Sequence, residues 1–138
     1  MYYTKSKMKN TIFKLLKYSY YFSLIILFVI YLFPGSLIGY LLYDNLSKQP
    51  NLVPNPAGTS INHLIYFSWL TLLAVIVRIR IKNIFTNIYI IFFIAIFSEI
   101  AHLIVPNRAF EYSDLLANIL GVLLIVIVRK SIRWLNFF

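Results

Sequence analysis

Four long apolar runs, separated by short polar segments, organise the chain. They cover residues 19–43, 61–77, 84–105 and 112–128, and they do not show the apolar–polar alternation of membrane β-barrel strands. A helix of about 17–25 apolar residues is long enough to cross the hydrocarbon core of a bilayer. The pattern predicts an all-α integral membrane four-helix bundle that forms one domain over residues 1–138.

Prolines and small residues interrupt this pattern. Pro34-Gly35 falls inside the first run and predicts a kink or break, because proline lacks a backbone donor. The loop over 44–60 is rich in proline and asparagine, and Pro106 ends the third run. The first run is too long for the roughly 7–15 apolar residues of a signal peptide, so we expect it to remain as a membrane helix.

The composition agrees with lipid as the surrounding solvent. Hydrophobic residues make up 61% of the 138 residues and charged residues 12%, and the mean hydropathy is +0.80. A soluble domain of this size could not bury so much apolar surface. Cysteine is absent, which excludes disulfides, thiolate catalysis and cysteine-ligated metal centres.

The net charge of +9 would indicate nucleic-acid binding if the basic residues formed one patch. They lie instead at the ends of the apolar runs. They are Lys5, Lys7, Lys9, Lys14 and Lys17 before the first run, Arg78, Arg80 and Lys82 between the second and third, and Arg129, Lys130 and Arg133 after the fourth. This positive-inside pattern predicts a cytoplasmic N-terminus and C-terminus. The expected partner is the lipid bilayer, not nucleic acid.

The scarce polar residues of the last three runs fall at one end of the predicted bundle, near the outer leaflet. They are His63, Glu99, His102, Arg108, Asp114, Asn118 and Gly121. Helical spacing puts Glu99 and His102 on one face, and Asp114, Asn118 and Gly121 on another. An ionisable group at membrane depth costs roughly 2.5–3.5 kcal/mol unless it is paired or hydrated. These residues are therefore expected to meet.

Three interpretations of this meeting stay open. A Glu99–Arg108 ion pair capped by Asn118 would simply hold the helices together. Alternatively, a cavity open to the outer leaflet would let Arg108 bind a phosphate or carboxylate. Glu99 and His102, with His63 and Asp114, also offer zinc or manganese ligands, but Arg108 would oppose a cation. We therefore expect no metal and no cofactor.

The same residues resemble the signature of the VanZ-like family of small bacterial membrane proteins. The matching segments are Glu99-Ile-Ala-His102, Pro106-Asn-Arg108, Asp114-Leu-Leu-Ala-Asn118 and Gly121, with Phe33-Pro34-Gly35 and Asn62-His63-Leu-Ile-Tyr-Phe upstream. Ser60 and Ile61 stand where many members carry Asp-Lys, and His102 replaces the usual glutamine. The family takes its name from low-level teicoplanin resistance. The resemblance implies a cell-envelope protein of the bacterial cytoplasmic (inner) membrane, without an established reaction.

The polar residues favour a non-enzymatic protein that binds a lipid-linked or anionic envelope ligand, and the resemblance implies a link to glycopeptide-antibiotic resistance. An intramembrane enzyme acting on a phospholipid or polyprenyl phosphate, with His63 or His102 as acid or base, is the alternative. A structural subunit that packs against another membrane protein is the third possibility. Transport by this chain alone is disfavoured, since no second inverted half is visible.

Overall fold

The computed structural model describes residues 2–50, 54 and 58–135, and within those ranges the chain is entirely helical, with no strand. The helices are α1 (Tyr2–Leu32), α2 (Leu37–Tyr43), α3 (Gly58–Arg78), α4 (Ile88–Ala101) and α5 (Tyr112–Leu135). Three of them, α1, α3 and α5, are long and apolar enough to cross a membrane. This supports the predicted all-α class and indicates a membrane protein.

The predicted first span, 19–43, is two helices instead of one. The helix α1 begins at Tyr2, and the chain breaks after Leu32, where Pro34 and Gly35 stand. Gly35 has a φ of 86°, which side-chain-bearing residues rarely adopt. Ser36 then starts α2, because its hydroxyl accepts a hydrogen bond from the Gly39 amide at 2.9 Å. The expected break is present, but it separates a distinct seven-residue helix.

The third predicted span is also shorter as a helix than expected. Residues 84–105 were predicted, whereas α4 covers 14 residues, Ile88–Ala101, or about 21 Å of rise. Asn83 and Thr86 exchange hydrogen bonds between their side chains and backbone amides, and Asn87 caps the helix. Such local bonds compete with helical ones. Beyond Ala101 the backbone forms turns before it reaches Pro106.

The helices are arranged up and down. Parallel packing of α3 and α5 is shown by two contacts in the same chain order, Ser60 with Asp114 and Ser68 with the Gly121 carbonyl. The helices α1 and α4 run the other way, so their C-terminal ends lie beside the first turns of α3 and α5. Arg80, just beyond α3, donates to the Asn10 side chain of α1 at 3.1 Å, at the opposite end of the bundle.

The core is apolar, and so is much of the outside. Tyr20, Phe67 and Ile91 are fully buried between the helices. Large apolar side chains on the outer faces are more than half exposed, including Phe93 of α4 and Ile127 of α5. A helix that is apolar on both faces suits a lipid environment, where the outer face contacts acyl chains.

Candidate functional site

A polar cluster lies where the ends of α1 and α4 meet the first turns of α3 and α5. Its members are Tyr31, Ser60, His63, Glu99, His102, Asp114 and Asn118. Glu99 and Asn118 are fully buried, and His102 and Asp114 are nearly so. Five of the residues expected from the sequence to meet therefore do meet, and they come from three different helices or helix ends.

His63 of α3 is the centre of this cluster. Its Nε2 atom lies 3.5 Å from Oδ2 of Asp114 on α5, and its Nδ1 atom lies 3.8 Å from Oε2 of Glu99 on α4. Nδ1 also lies 3.1 Å from the Asn118 side-chain oxygen and 3.0 Å from the Tyr31 hydroxyl. The imidazole thus stands between two carboxylates that come from different helices.

Each carboxylate has one oxygen held by hydrogen bonds and the other turned toward His63. Oε1 of Glu99 accepts from the Glu111 amide at 3.1 Å and lies 3.2 Å from Nδ1 of His102. Oδ1 of Asp114 accepts from the Ser60 hydroxyl at 2.6 Å. The remaining oxygens, Oε2 and Oδ2, are the atoms closest to the imidazole.

Two buried atoms of the cluster lack a hydrogen-bond partner among the described residues, Oε2 of Glu99 and Nε2 of His102. Leaving a buried polar atom unpaired costs about 1–3 kcal/mol, and more for a charged group. Buried polar atoms in proteins are nearly always paired. A bound ion or ligand beside these two atoms would supply the missing polar partner.

Asn118 and Tyr31 connect the cluster to the rest of the bundle. The Asn118 amide nitrogen donates to the Ala95 carbonyl of α4 at 3.2 Å, and the Tyr31 hydroxyl lies 3.2 Å from the Asn118 side-chain oxygen. The sequence interpretation missed Tyr31. The available signal was its position inside an apolar run, where a tyrosine hydroxyl needs a partner, whereas the flanking tyrosines lie at the run's ends.

Arg108 does not pair with Glu99, so the predicted ion pair is wrong. Its guanidinium donates to the Ile30 carbonyl at 2.7 Å and makes a longer contact, 3.5 Å, with the Phe33 carbonyl. These carbonyls are free at the end of α1, where the negative end of the helix dipole attracts a cation. Burial lowers the pKa of Arg108 from its ordinary value, while the neighbouring Tyr31 and Glu99 act in the opposite direction.

Gly121 lies outside the cluster and has a packing role. A Cβ atom added there would stand 2.6 Å from the Leu64 carbonyl oxygen and 3.0 Å from Cβ of Phe67. The missing side chain therefore lets α5 approach the backbone of α3 closely, as small residues do between membrane helices. The sequence interpretation grouped Gly121 with the ligand-binding or buried polar residues, and the structure gives it this packing contact.

A cavity of about 120 Å³ adjoins the cluster, between the end of α1, α2 and the start of α3. Arg108, His63 and His102 line it, and Gln49 contributes from the loop. Among the described lining residues none is acidic. Glu99 and Asp114 lie behind the two imidazoles, so the cavity presents cationic and hydrogen-bonding groups to whatever enters it.

A larger apolar groove of about 500 Å³ continues from this cavity along α2 and α3. Leu42, Ile65 and Trp69 line the groove alone. The two spaces share four lining residues, which are Ile38, Pro50, Asn62 and Tyr66. The cavity that contains Arg108 and the two imidazoles therefore adjoins the apolar groove.

The described residues also contain one group that could hold a metal ion. His63, Glu99 and Asp114 each offer one ligand atom, and those atoms lie within 4.8 Å of one another. Imidazole nitrogen and carboxylate oxygen are ligands that first-row divalent metals accept.

The helices and the cluster together define a class of protein: an all-helical chain with membrane-length helices and a buried polar cluster at one end. No family model, curated protein or solved structure matches the chain. The resemblance to the VanZ-like family therefore stays a prediction that depends on the motif residues.

Proposed function

We propose that the chain is an integral membrane protein that crosses the bilayer four times and binds an anionic amphiphile in the cavity beside the polar cluster. The number of membrane crossings is inferred from the directions in which the helices run. Because α3 and α5 are parallel, the chain between them has to return across the same layer, and α4 provides that return. The side chains of Ile84 and Ile104, beyond the two ends of α4, are apolar and exposed, so the apolar segment is longer than the helix itself.

The orientation follows from charge. Arg78, Arg80 and Lys82 lie at the end of the bundle opposite to the polar cluster, and cytoplasmic loops are the ones enriched in lysine and arginine. We therefore place both termini in the cytoplasm and the cavity beneath the outer headgroups. We propose that this membrane is the bacterial cytoplasmic membrane, as the resemblance to the VanZ-like motif implies.

The apolar groove that adjoins the cavity beside Arg108 is the observation that supports the ligand class. Arg108 would bind an anionic headgroup in the cavity, since its two contacts with α1 carbonyls leave its other N–H groups available. An acyl or prenyl chain would lie in the groove, against Leu42, Ile65 and Trp69. A water-soluble anion has no apolar chain that could fill this groove, so the ligand in this proposal is a lipid or a lipid-linked envelope precursor.

A link to glycopeptide resistance is part of the same proposal. It rests on the resemblance of the motif residues to the VanZ-like family, which is named for low-level teicoplanin resistance. The prediction is a lower minimum inhibitory concentration of teicoplanin for cells that express an Arg108→Gln chain than for cells that express the wild type.

Lipid retention tests the proposal directly. The purified chain, in nanodiscs or mild detergent, would be offered phosphatidylglycerol, undecaprenyl phosphate or neutral phosphatidylcholine, and bound lipid counted by native mass spectrometry. A charge-assisted hydrogen bond contributes about 1.5–3 kcal/mol, so Arg108→Gln is expected to weaken anionic-lipid binding about ten- to a hundredfold.

Arg80→Gln is the matched control, because Arg80 is exposed at the opposite end of the bundle. It should leave lipid retention unchanged. Equal binding of anionic and neutral lipid, or equal losses in Arg108→Gln and Arg80→Gln, would refute the proposal. A preference for undecaprenyl phosphate over phosphatidylglycerol would identify the lipid-linked source.

An intramembrane enzyme is the second candidate, and one contact favours it. His63 lines the cavity and has Asp114 behind it at 3.5 Å, which is an arrangement that can position an imidazole as acid or base. Turnover of a polyprenyl phosphate by the wild type, lost in a folded His63→Gln chain, is the required result. If the wild type binds the lipid but does not turn it over, the enzyme hypothesis is rejected and only the binding function remains.

A further inference from the structure

Glu99 and Asp114 place two carboxylates in the interior of a helical bundle. Within the described part of the chain, their ion-pair contacts are to His63 and His102. No lysine or arginine among those residues lies within ion-pair distance of either acid. Two buried negative charges without a permanent cation are costly at membrane depth, so an additional positive species is needed there.

The structure assigns this role to a divalent transition-metal ion bound by His63, Glu99 and Asp114. This metal site is independent of the lipid proposal. The sequence interpretation disfavoured a metal because Arg108 would oppose it, but Arg108 is turned to the carbonyls at the end of α1.

The unpaired oxygen of Glu99 points to a missing ligand. Oε2 is fully buried, lacks a hydrogen-bond partner among the described residues and faces His63 at 3.8 Å. Oδ2 of Asp114 faces the same imidazole at 3.5 Å. Ligand atoms around a tetrahedral zinc ion, with bonds of about 2.0–2.1 Å, lie about 3.3 Å apart. One nitrogen of His63 and one oxygen from each carboxylate already lie within 4.8 Å of one another. Because Glu99 faces Nδ1 and Asp114 faces Nε2, the imidazole has to turn so that a single nitrogen and both oxygens face the ion.

The groups around these ligands resemble the outer shell of a metal site. Ser60 holds Oδ1 of Asp114, and His102 and the Glu111 amide hold Oε1 of Glu99. Each carboxylate is therefore fixed by one oxygen while the other is left for the ion. Outer partners that orient ligating side chains in this way contribute about 10–100-fold to metal affinity.

The donor set selects the kind of ion. One imidazole and two carboxylates suit zinc, manganese or iron, whereas calcium requires six to eight oxygen ligands and magnesium keeps most of its waters. His63 lines the neighbouring cavity, so the proposed site lies beside it.

Metal binding is measured on the full chain without a polyhistidine tag, purified in detergent and stripped with a chelator. Zinc and manganese content after reloading and washing is determined by elemental mass spectrometry. Cobalt is titrated in parallel, because its visible absorption reports the coordination. The expected results are one ion per chain and a cobalt band that saturates at one equivalent.

Three variants separate the site from general effects. Asp114→Asn and Glu99→Gln should lose the bound ion, and Ser60→Ala should weaken it about 10–100-fold at unchanged stoichiometry. Asp44→Asn is the matched control, because this acid is exposed at the end of α2 and lies outside the proposed site. It should bind like the wild type.

Retention of no metal by the wild type, or equal retention by Asp114→Asn and the wild type, would overturn the site. Should the two ligand variants not fold, the cobalt spectrum of the wild type and the titration of Ser60→Ala decide the matter. Lipid binding is also measured on chelator-treated protein. If lipid still binds there, the lipid proposal is supported whatever the outcome of the metal measurement.

Discussion

The close approach of α3 and α5 at Gly121 gives the most direct structural prediction. In Gly121→Ala, the new methyl group would stand 2.6 Å from the Leu64 carbonyl oxygen and 3.0 Å from the Ser68 amide nitrogen. Both are backbone atoms, so no side-chain rotation relieves the clash, and the helices have to separate by several tenths of an ångström. Such overpacking costs about 1–3 kcal/mol.

Helix propensity acts in the opposite direction, since alanine is favoured over glycine in a helix by about 1 kcal/mol. Because the clash is with backbone atoms, we take the upper part of the overpacking range, about 2–3 kcal/mol, and the expected net change is a loss of about 1–2 kcal/mol in the free energy of unfolding. It is measured by denaturant titration of the purified protein in a fixed detergent or bicelle mixture, followed by circular dichroism.

Ser131→Thr is the control, because it adds one methyl group to the exposed face of the same helix. It should change the free energy of unfolding by less than about 0.5 kcal/mol. A Gly121→Ala protein as stable as the wild type, or more stable, would refute the conclusion that the α3–α5 backbone contact depends on this glycine.

Two further predictions follow from the cluster and the orientation. Asn118→Leu removes a bond to the Ala95 carbonyl and the acceptor of Tyr31, and should lower the free energy of unfolding by about 2–3 kcal/mol in the same titration; an unchanged value would contradict the buried network. The chain has no cysteine, so single-cysteine variants can report sidedness: Lys48→Cys should react with a membrane-impermeant thiol reagent in intact cells, and Arg78→Cys only after permeabilisation. Equal labelling of both would contradict the four-crossing orientation.

The break after α1 links the backbone to the site. Because α1 ends at Leu32, the carbonyls of Ile30 and Phe33 are left without helical partners and accept the Arg108 guanidinium. Ser36 then redirects the chain into α2, whose Ile38 lines both the cavity and the groove. The same interruption thus holds the cation and shapes the space beside it.

Much of the fold and part of the site follow from the order of residues alone. Apolar runs of membrane length predict helices, and Pro34-Gly35 predicts the interruption of the first run. In a bundle of antiparallel neighbours, position along a run sets depth, so His63, Glu99 and Asp114 were expected at one level. Their convergence is present in the structure.

The partner of each polar group was decided only by the tertiary structure. Glu99 and the end of α1 offer Arg108 two acceptors at similar depth, and the lateral positions of the helices select the carbonyls of α1. The packing role of Gly121 and the participation of Tyr31 depend on the same few ångströms of helix rotation and separation. Periodicity determines depth and face along one helix, but distances between helices arise from the packing of all of them together.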